Sequence, residues 1–254
     1  MLESQHHIGQ TVIRLKHVVS TNLYLEKLVS TNEALKEGTI VVADQQTGGL
    51  GLDKNTWESE PGKNLTLSIF LQPGFLSAGE QFFLNMAISL GVYDFVAGMI
   101  PAEPVSIKWP NDVYIRTDKV AGILIRHAVS RDRILHSIIG IGLNVNQQSF
   151  SKELPNPVSL IRYTKNKPDL TNCLERLCRC LDKRYDQLKN MWFTMLKDQF
   201  SRKLFRVGEW HLFRYKGNIS SGKIRGVDQF GRLQLELKDH GLVICDIKEV
   251  SFVV

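Results

Sequence analysis

No uninterrupted apolar run in the sequence reaches the ~20 residues that a bilayer-crossing helix needs; Gly91 to Ile100, broken by Asp94, falls well short. The N-terminus also lacks the basic-then-apolar order of an export signal. Both absences predict a cytoplasmic protein with no membrane partner. Cysteine is sparse: Cys173, Cys178 and Cys180 are crowded together and Cys245 stands alone. No paired CxxC or nearby histidine accompanies them, so neither a disulfide framework nor a zinc site is expected. Helix-turn-helix, zinc-finger and aromatic RNA-binding signatures are missing as well. With 43% hydrophobic and 23% charged residues, the 254-residue chain is neither disordered nor collagen-like.

The net charge of +6 is unevenly distributed. Residues 1–150 hold 12 Lys and Arg against 14 Asp and Glu, whereas residues 151–254 hold 20 against 12. A basic C-terminal part suits nucleic acid or an acidic protein, and charge alone leaves that choice open.

Periodicity divides the chain into elements. Leu23, Leu25, Leu28 and Leu35 predict a helix over 21–38, capped by Ser20 or Thr21 and ended by Gly38. Apolar runs at 39–43 and 65–71 read as strands with a loop between them. Residues 80–99 suit a long buried helix. Strands at 105–108, 112–115, 119–129 and 133–146 follow closely enough to be antiparallel hairpins. Helical periodicity returns from about 169 to 200. After Gly208, short alternating segments separated by glycine turns suggest a small barrel. The expected fold is α+β: a mixed β-sheet with helices packed on it in a domain over 1–205, and a small β-barrel over 206–254.

Five segments carry chemistry. In Lys108-Trp109-Pro110-Asn111-Asp112 the proline forbids strand continuation, and the bend presents an amide and a carboxylate to a cleft. Lys119, opening Lys119-Val120-Ala121-Gly122, is either a solvated edge charge or a cation held in a site. Glycines in Gly140-Ile141-Gly142-Leu143-Asn144-Val145-Asn146 mark a bend or a close backbone approach. Ser20-Thr21-Asn22 either caps a helix or binds a ligand; its repeat at Ser30-Thr31-Asn32 falls at a helix end. Gln46 to Trp57 is a glycine-bearing loop.

In this order the segments resemble the biotin–protein ligase family from about residue 12 onward. The resemblance implies a class II synthetase-like catalytic domain and an SH3-like C-terminal barrel. It also implies biotin and ATP as substrates, Mg2+ as cofactor, and biotinyl-5′-AMP as the intermediate that delivers biotin to a lysine. The implied partner is the biotin carboxyl carrier domain of a carboxylase; self-association into a homodimer is left open. By the same resemblance Ser20, Thr21, Asn22, Gln46, Gly49, Lys119 and Gly122 contact biotin. Trp57, Lys108, Asn111, Gly140 and Asn144 contact the nucleotide, while Lys119 and Asp112 are catalytic, with Asp112 also on the metal. A cation suits this chemistry, because a carboxylate attacking an α-phosphate brings two anions together. No DNA-binding domain is expected ahead of the catalytic domain, which is the non-repressor arrangement.

The resemblance fails at Leu50 and Leu52, where the family carries arginines, and at Arg126, where it carries a glutamate. A leucine cannot replace a bidentate guanidinium. Either Lys54 or Arg126 supplies the missing charge to a working ligase, or the chain is a degenerate paralogue that binds biotin or nucleotide without efficient turnover. Lipoate or octanoate transfer shares the fold, but Trp57, the segment 108–112 and the C-terminal barrel speak for biotin. Restoring arginine at Leu50 and Leu52 should slow the release of labelled nucleotide from the protein; an unchanged release rate would mean that this loop has been repurposed.

Overall fold

A computed structural model describes residues 7–31, 34–51 and 55–253. Seven strands form the main sheet: β1 (Val12–Val18), β2 (Ile40–Gln46), β5 (Leu65–Leu71), β6 (Val105–Lys108), β7 (Asp112–Ile115), β8 (Asp118–Ser130) and β9 (Arg133–Leu143). They lie in the order β1-β2-β5-β9-β8-β7-β6, with β1 and β2 parallel and the other pairs antiparallel. The hairpins expected from 105 to 143 are therefore present. A short ladder, β3 (Gly49–Leu50) with β4 (Thr56–Trp57), stands apart.

Every residue of β5 is buried, so both faces of the sheet are covered. On one face Val41, Phe70 and Ile138 pack with Leu25 of α1 (Thr21–Thr31). Their neighbours Val42 and Leu71 point the other way, into the main core beneath α2 (Gln81–Met99) and α3 (Leu170–Lys189). The stretch Ala78–Met99 is long and apolar enough by composition to cross a membrane, contrary to the reading of the sequence. Here it is the core helix, and Gly91 lets α3 approach so closely that a Cβ there would lie 2.8 Å from Leu181 Cδ2.

Other boundaries differ for local reasons. The first helix is described over Thr21–Thr31 and does not run to Gly38, since residues 34–38 are not helical; near its end the hydroxyls of Ser30 and Thr31 bond back to Lys27 O at 2.8 and 3.0 Å. The expected helix over 169–200 is two, α3 and α4 (Phe193–Arg202), with Met191 between them at φ 59°. Strand β1, absent from the sequence reading, is a partly exposed edge whose Ile13 and Leu15 pack against the α1 cluster.

The C-terminal strands β10 (Trp210–Tyr215), β11 (Asn218–Val227), β12 (Leu233–Leu237), β13 (Gly241–Cys245) and β14 (Val250–Phe252) form an antiparallel sheet in the order β13-β12-β11-β10-β14. Among the described residues the end strands do not pair with each other, so this is a five-stranded sheet and no closed barrel is formed. Phe205 N donates to Ile107 O at 2.8 Å and Gly208 N to Ile224 O at 3.0 Å, which stitches the connecting segment to both sheets. One continuous core runs from the main sheet into Phe213, Ile224 and Leu233.

Leu181→Ala should cost about 2–5 kcal/mol of stability, and Gly91→Val about 1–3 kcal/mol by forcing α2 and α3 apart. Urea unfolding measures both; values near zero would refute the close packing of these helices.

Candidate active site

The face of the sheet under α1 and the β3–β4 ladder is nearly bare where β8 meets β9. Gly122 pairs with Gly142, and Gly140 follows two residues before it on the same face. These positions floor a cavity of about 200 Å³. A Cβ on Gly142 would sit 2.2 Å from Trp57 Cε2, and one on Gly140 would sit 2.5 Å from Asn22 Oδ1. The glycines are required because an indole and an amide lie directly on the backbone.

At the Gly140 end the walls are polar. Thr21 donates to Gln46 Oε1 twice, from its backbone N at 2.7 Å and from Oγ1 at 2.9 Å. Ser68 Oγ lies 2.7 Å from Thr21 Oγ1 and also bonds Asn22 Oδ1. Ser20, Thr21 and Asn22 are nearly inaccessible, so the first triplet is part of a buried network and does more than cap a helix. The second copy is exposed at the end of α1, as expected for Ser30 and Thr31; Asn32 lies outside the described residues.

At the Gly142 end stands a charge pair. Lys119 Nζ lies 2.8 Å from Asp112 Oδ2 and 5.8 Å from the centroid of the Trp57 ring. Its backbone is fixed by the segment beyond β9: Lys119 N donates to Asn156 O at 2.8 Å, and Val158 N to Lys119 O at 3.0 Å. Asn111 holds the adjoining turn through a hydrogen bond donated by its side-chain Nδ2 to Ile123 O. Trp57 Nε1 is buried with no hydrogen-bond partner, a donor left over for a ligand.

The cavity thus brings together Ser20, Thr21, Asn22, Gln46 and Gly140 with Trp57, Asn111, Asp112, Lys119 and Gly122. Gly49, Lys108 and Asn144 do not line it. Gly49 supports the loop, where a Cβ would meet Trp57 O at 2.5 Å. Lys108 turns towards the C-terminal sheet, with Nζ 3.0 Å from Tyr114 Oη and 5.1 Å from the Phe252 ring centroid; burial lowers its pKa. Asn144 is buried and donates to Val158 O at 3.1 Å, bracing the segment that holds Lys119.

Leu50 lines the cavity where the resemblance places an arginine, while Leu52 and Lys54 lie outside the described residues. Arg126 is no substitute: it does not line the cavity, and its Nη1 pairs with Glu26 at 2.7 Å. Asn55 and Thr56 also line the cavity without any motif to announce them. Ser68 was legible in principle, as one of two hydroxyls, with Thr66, inside a wholly buried strand where each demands a partner.

A profile of the biotin/lipoate A/B protein ligase family matches residues 15–144. The chain belongs to this family. It is 33% identical to the bifunctional ligase/repressor BirA of Bacillus spizizenii over 91% of this chain and 71% of that protein. With the biotin--[acetyl-CoA-carboxylase] ligase of Mycobacterium tuberculosis it shares 29% over 82% of this chain and 77% of that one. Among solved structures, the Aquifex aeolicus biotin protein ligase in complex with biotin and ATP superposes with a TM-score of 0.78 and 27% identity, covering 96% of this chain and 99% of that chain. Family membership and the cavity coincide, since the profile ends at Asn144, just past the glycine-bearing strand.

Gly142→Ala should displace Trp57 and cost about 1–3 kcal/mol. In a Trp57→Ala background the same change should cost much less, because the clash has gone. Strict additivity of the two unfolding free energies would show that the indole does not rest on Gly142.

Proposed function

We propose that the chain activates biotin with ATP and transfers it to a lysine of a biotin carboxyl carrier domain. The observation that carries this reading is the Lys119–Asp112 pair beneath Trp57, at one end of a cavity whose other end is a buried hydrogen-bonding wall. The wall of Thr21, Asn22, Gln46 and Ser68 suits a neutral cyclic head group that both donates and accepts, as the ureido ring of biotin does. A valerate tail running through the cavity between Asn22 and Trp57 would bring its carboxylate to Lys119.

In the first half-reaction a carboxylate oxygen forms a bond to the α-phosphorus and the bond to pyrophosphate breaks. The Lys119 ammonium offsets the repulsion between the two anions. In the second, the neutral ε-amine of the acceptor attacks the acyl carbon, forms the amide and releases AMP. Asp112 is the one carboxylate among the described residues that line the cavity, and no cluster of three metal-ligating side chains occurs among the described residues. That fits Mg2+, which needs only one or two protein carboxylates when phosphates and water complete its shell. Bound there, it would supply charge neutralisation at the phosphates.

One observation favours a second reading. With Leu50 in the wall, Lys119 is the only cationic side chain among the described residues lining the cavity, as befits a binder with little turnover. Incubation with labelled biotin, Mg-ATP and a carrier domain separates the two: label on the carrier with pyrophosphate released supports the ligase, whereas retained label without transfer supports the binder. Absence of both heat and thermal shift on titration with biotin, with and without Mg-ATP, would overturn either reading.

Lys119→Ala should abolish pyrophosphate release and leave the fold intact. A half-exposed ion pair contributes at most about 1 kcal/mol to stability, so the melting temperature should move by only a few degrees. Undiminished turnover would remove Lys119 from the mechanism.

A further inference from the structure

Among the described residues none of the C-terminal sheet lines the cavity, yet the turn that carries Asp112 is gripped by that sheet. Trp109, buried and outside the cavity, donates from Nε1 to Gly231 O at 2.8 Å. Gly231 sits in the β11–β12 turn at φ +82°, and a Cβ there would lie 2.0 Å from Phe82 Cγ, so this turn is plugged against α2 with no room for a side chain. Asp228 shapes the plug: Oδ1 accepts from Phe230 N and Arg232 N, each at 2.9 Å, and Oδ2 accepts from Arg232 Nε at 2.8 Å. On the other side of Trp109, Lys108 lies over Phe252 of β14. The three residues after Trp109 all line the cavity.

We propose that Trp109 is a positioning residue for the phosphate half of the site, and that the Asp228–Arg232 turn, through Gly231, holds Asn111 and Asp112 against Lys119. The C-terminal sheet then does more than cap the core: it fixes where the carboxylate of the charge pair stands. The polar wall around Thr21 and Asn22 hangs on α1, β2 and β5, and makes no use of this anchor. The two halves of the cavity are therefore separable by mutation. The proposal rests on the ligase reading for its kinetics and on the geometry alone for its local rigidity.

The test uses the full chain with Trp109→Phe, which keeps a ring and removes the N–H, and with Asp228→Ala, which loosens the plug without touching the cavity. In each, kcat for pyrophosphate release should fall or KM for Mg-ATP should rise, by about five- to tenfold for one lost buried hydrogen bond. The affinity for biotin alone should stay within a factor of two (about 0.4 kcal/mol). Hydrogen–deuterium exchange should rise in peptides covering 109–115 and 119–124, and not in 65–71. The exchange readout stands even if the wild-type chain turns out to bind without turnover, in which case it is the ligase reading that falls. Unchanged exchange in 109–124, or equal losses in biotin affinity and in the Mg-ATP step, would overturn the proposal.

Discussion

Everything in the candidate site depends on a strip of sheet without side chains. A strand buried on both faces normally fills its surroundings, as β5 does with leucine, isoleucine and phenylalanine. Where β8 crosses β9 the sequence withholds that filling at Gly122, Gly140 and Gly142, and the volume is taken by Trp57, Asn22 and the cavity between them. Glycine inside a strand weakens it, because the folded chain gives up more conformational freedom and packs less. Long flanking ladders compensate, since β8 and β9 pair continuously from Ala121↔Leu143 to His127↔Ser137. The bare strip is thus held flat by the residues on either side of it.

Much of this was legible from spacing. A carboxylate and a lysine seven residues apart, on either side of the tight turn at 116–117, fall on adjacent antiparallel strands, and the structure pairs them at 2.8 Å. The hairpin series and the core helix followed from periodicity in the same way. What could not be read depends on partners distant in the chain. Lys108 and Asn144 belong to the same motifs as Asp112 and Gly140, but the arrival of β14 and of residues 156–158 draws them away from the cavity. Arg126 stands on the cavity side of β8 two residues beyond Leu124, and Glu26 of α1 claims it there.

The small barrel expected at the C-terminus is found as a five-stranded sheet, without closure among the described residues, for a related reason. Alternation and glycine turns specify short antiparallel strands, but closure is a matter of whether the first and last strands meet, and that is set by shear and twist rather than by pattern. Here β10 and β11 at the middle of the sheet contact the connecting segment and the main core, and the edges β13 and β14 stay apart.

The electrostatics of the cavity follow from the leucine at position 50. Among the described lining residues one cation faces one anion, so that part of the wall carries no surplus positive charge. A triphosphate approaching Lys119 must compete with Asp112 for it. At partial exposure the pair is worth at most about 1 kcal/mol, so separating it costs little; the difficulty is the carboxylate left beside the phosphates. On the proposed reading that carboxylate needs a positive counter-charge from outside the chain. In the family pattern arginines at positions 50 and 52 would share this load with the metal. On that reading, with Leu50 in the wall, a bound divalent ion would carry more of it, so dependence on that ion should be steeper in this chain than in a relative that keeps the arginines.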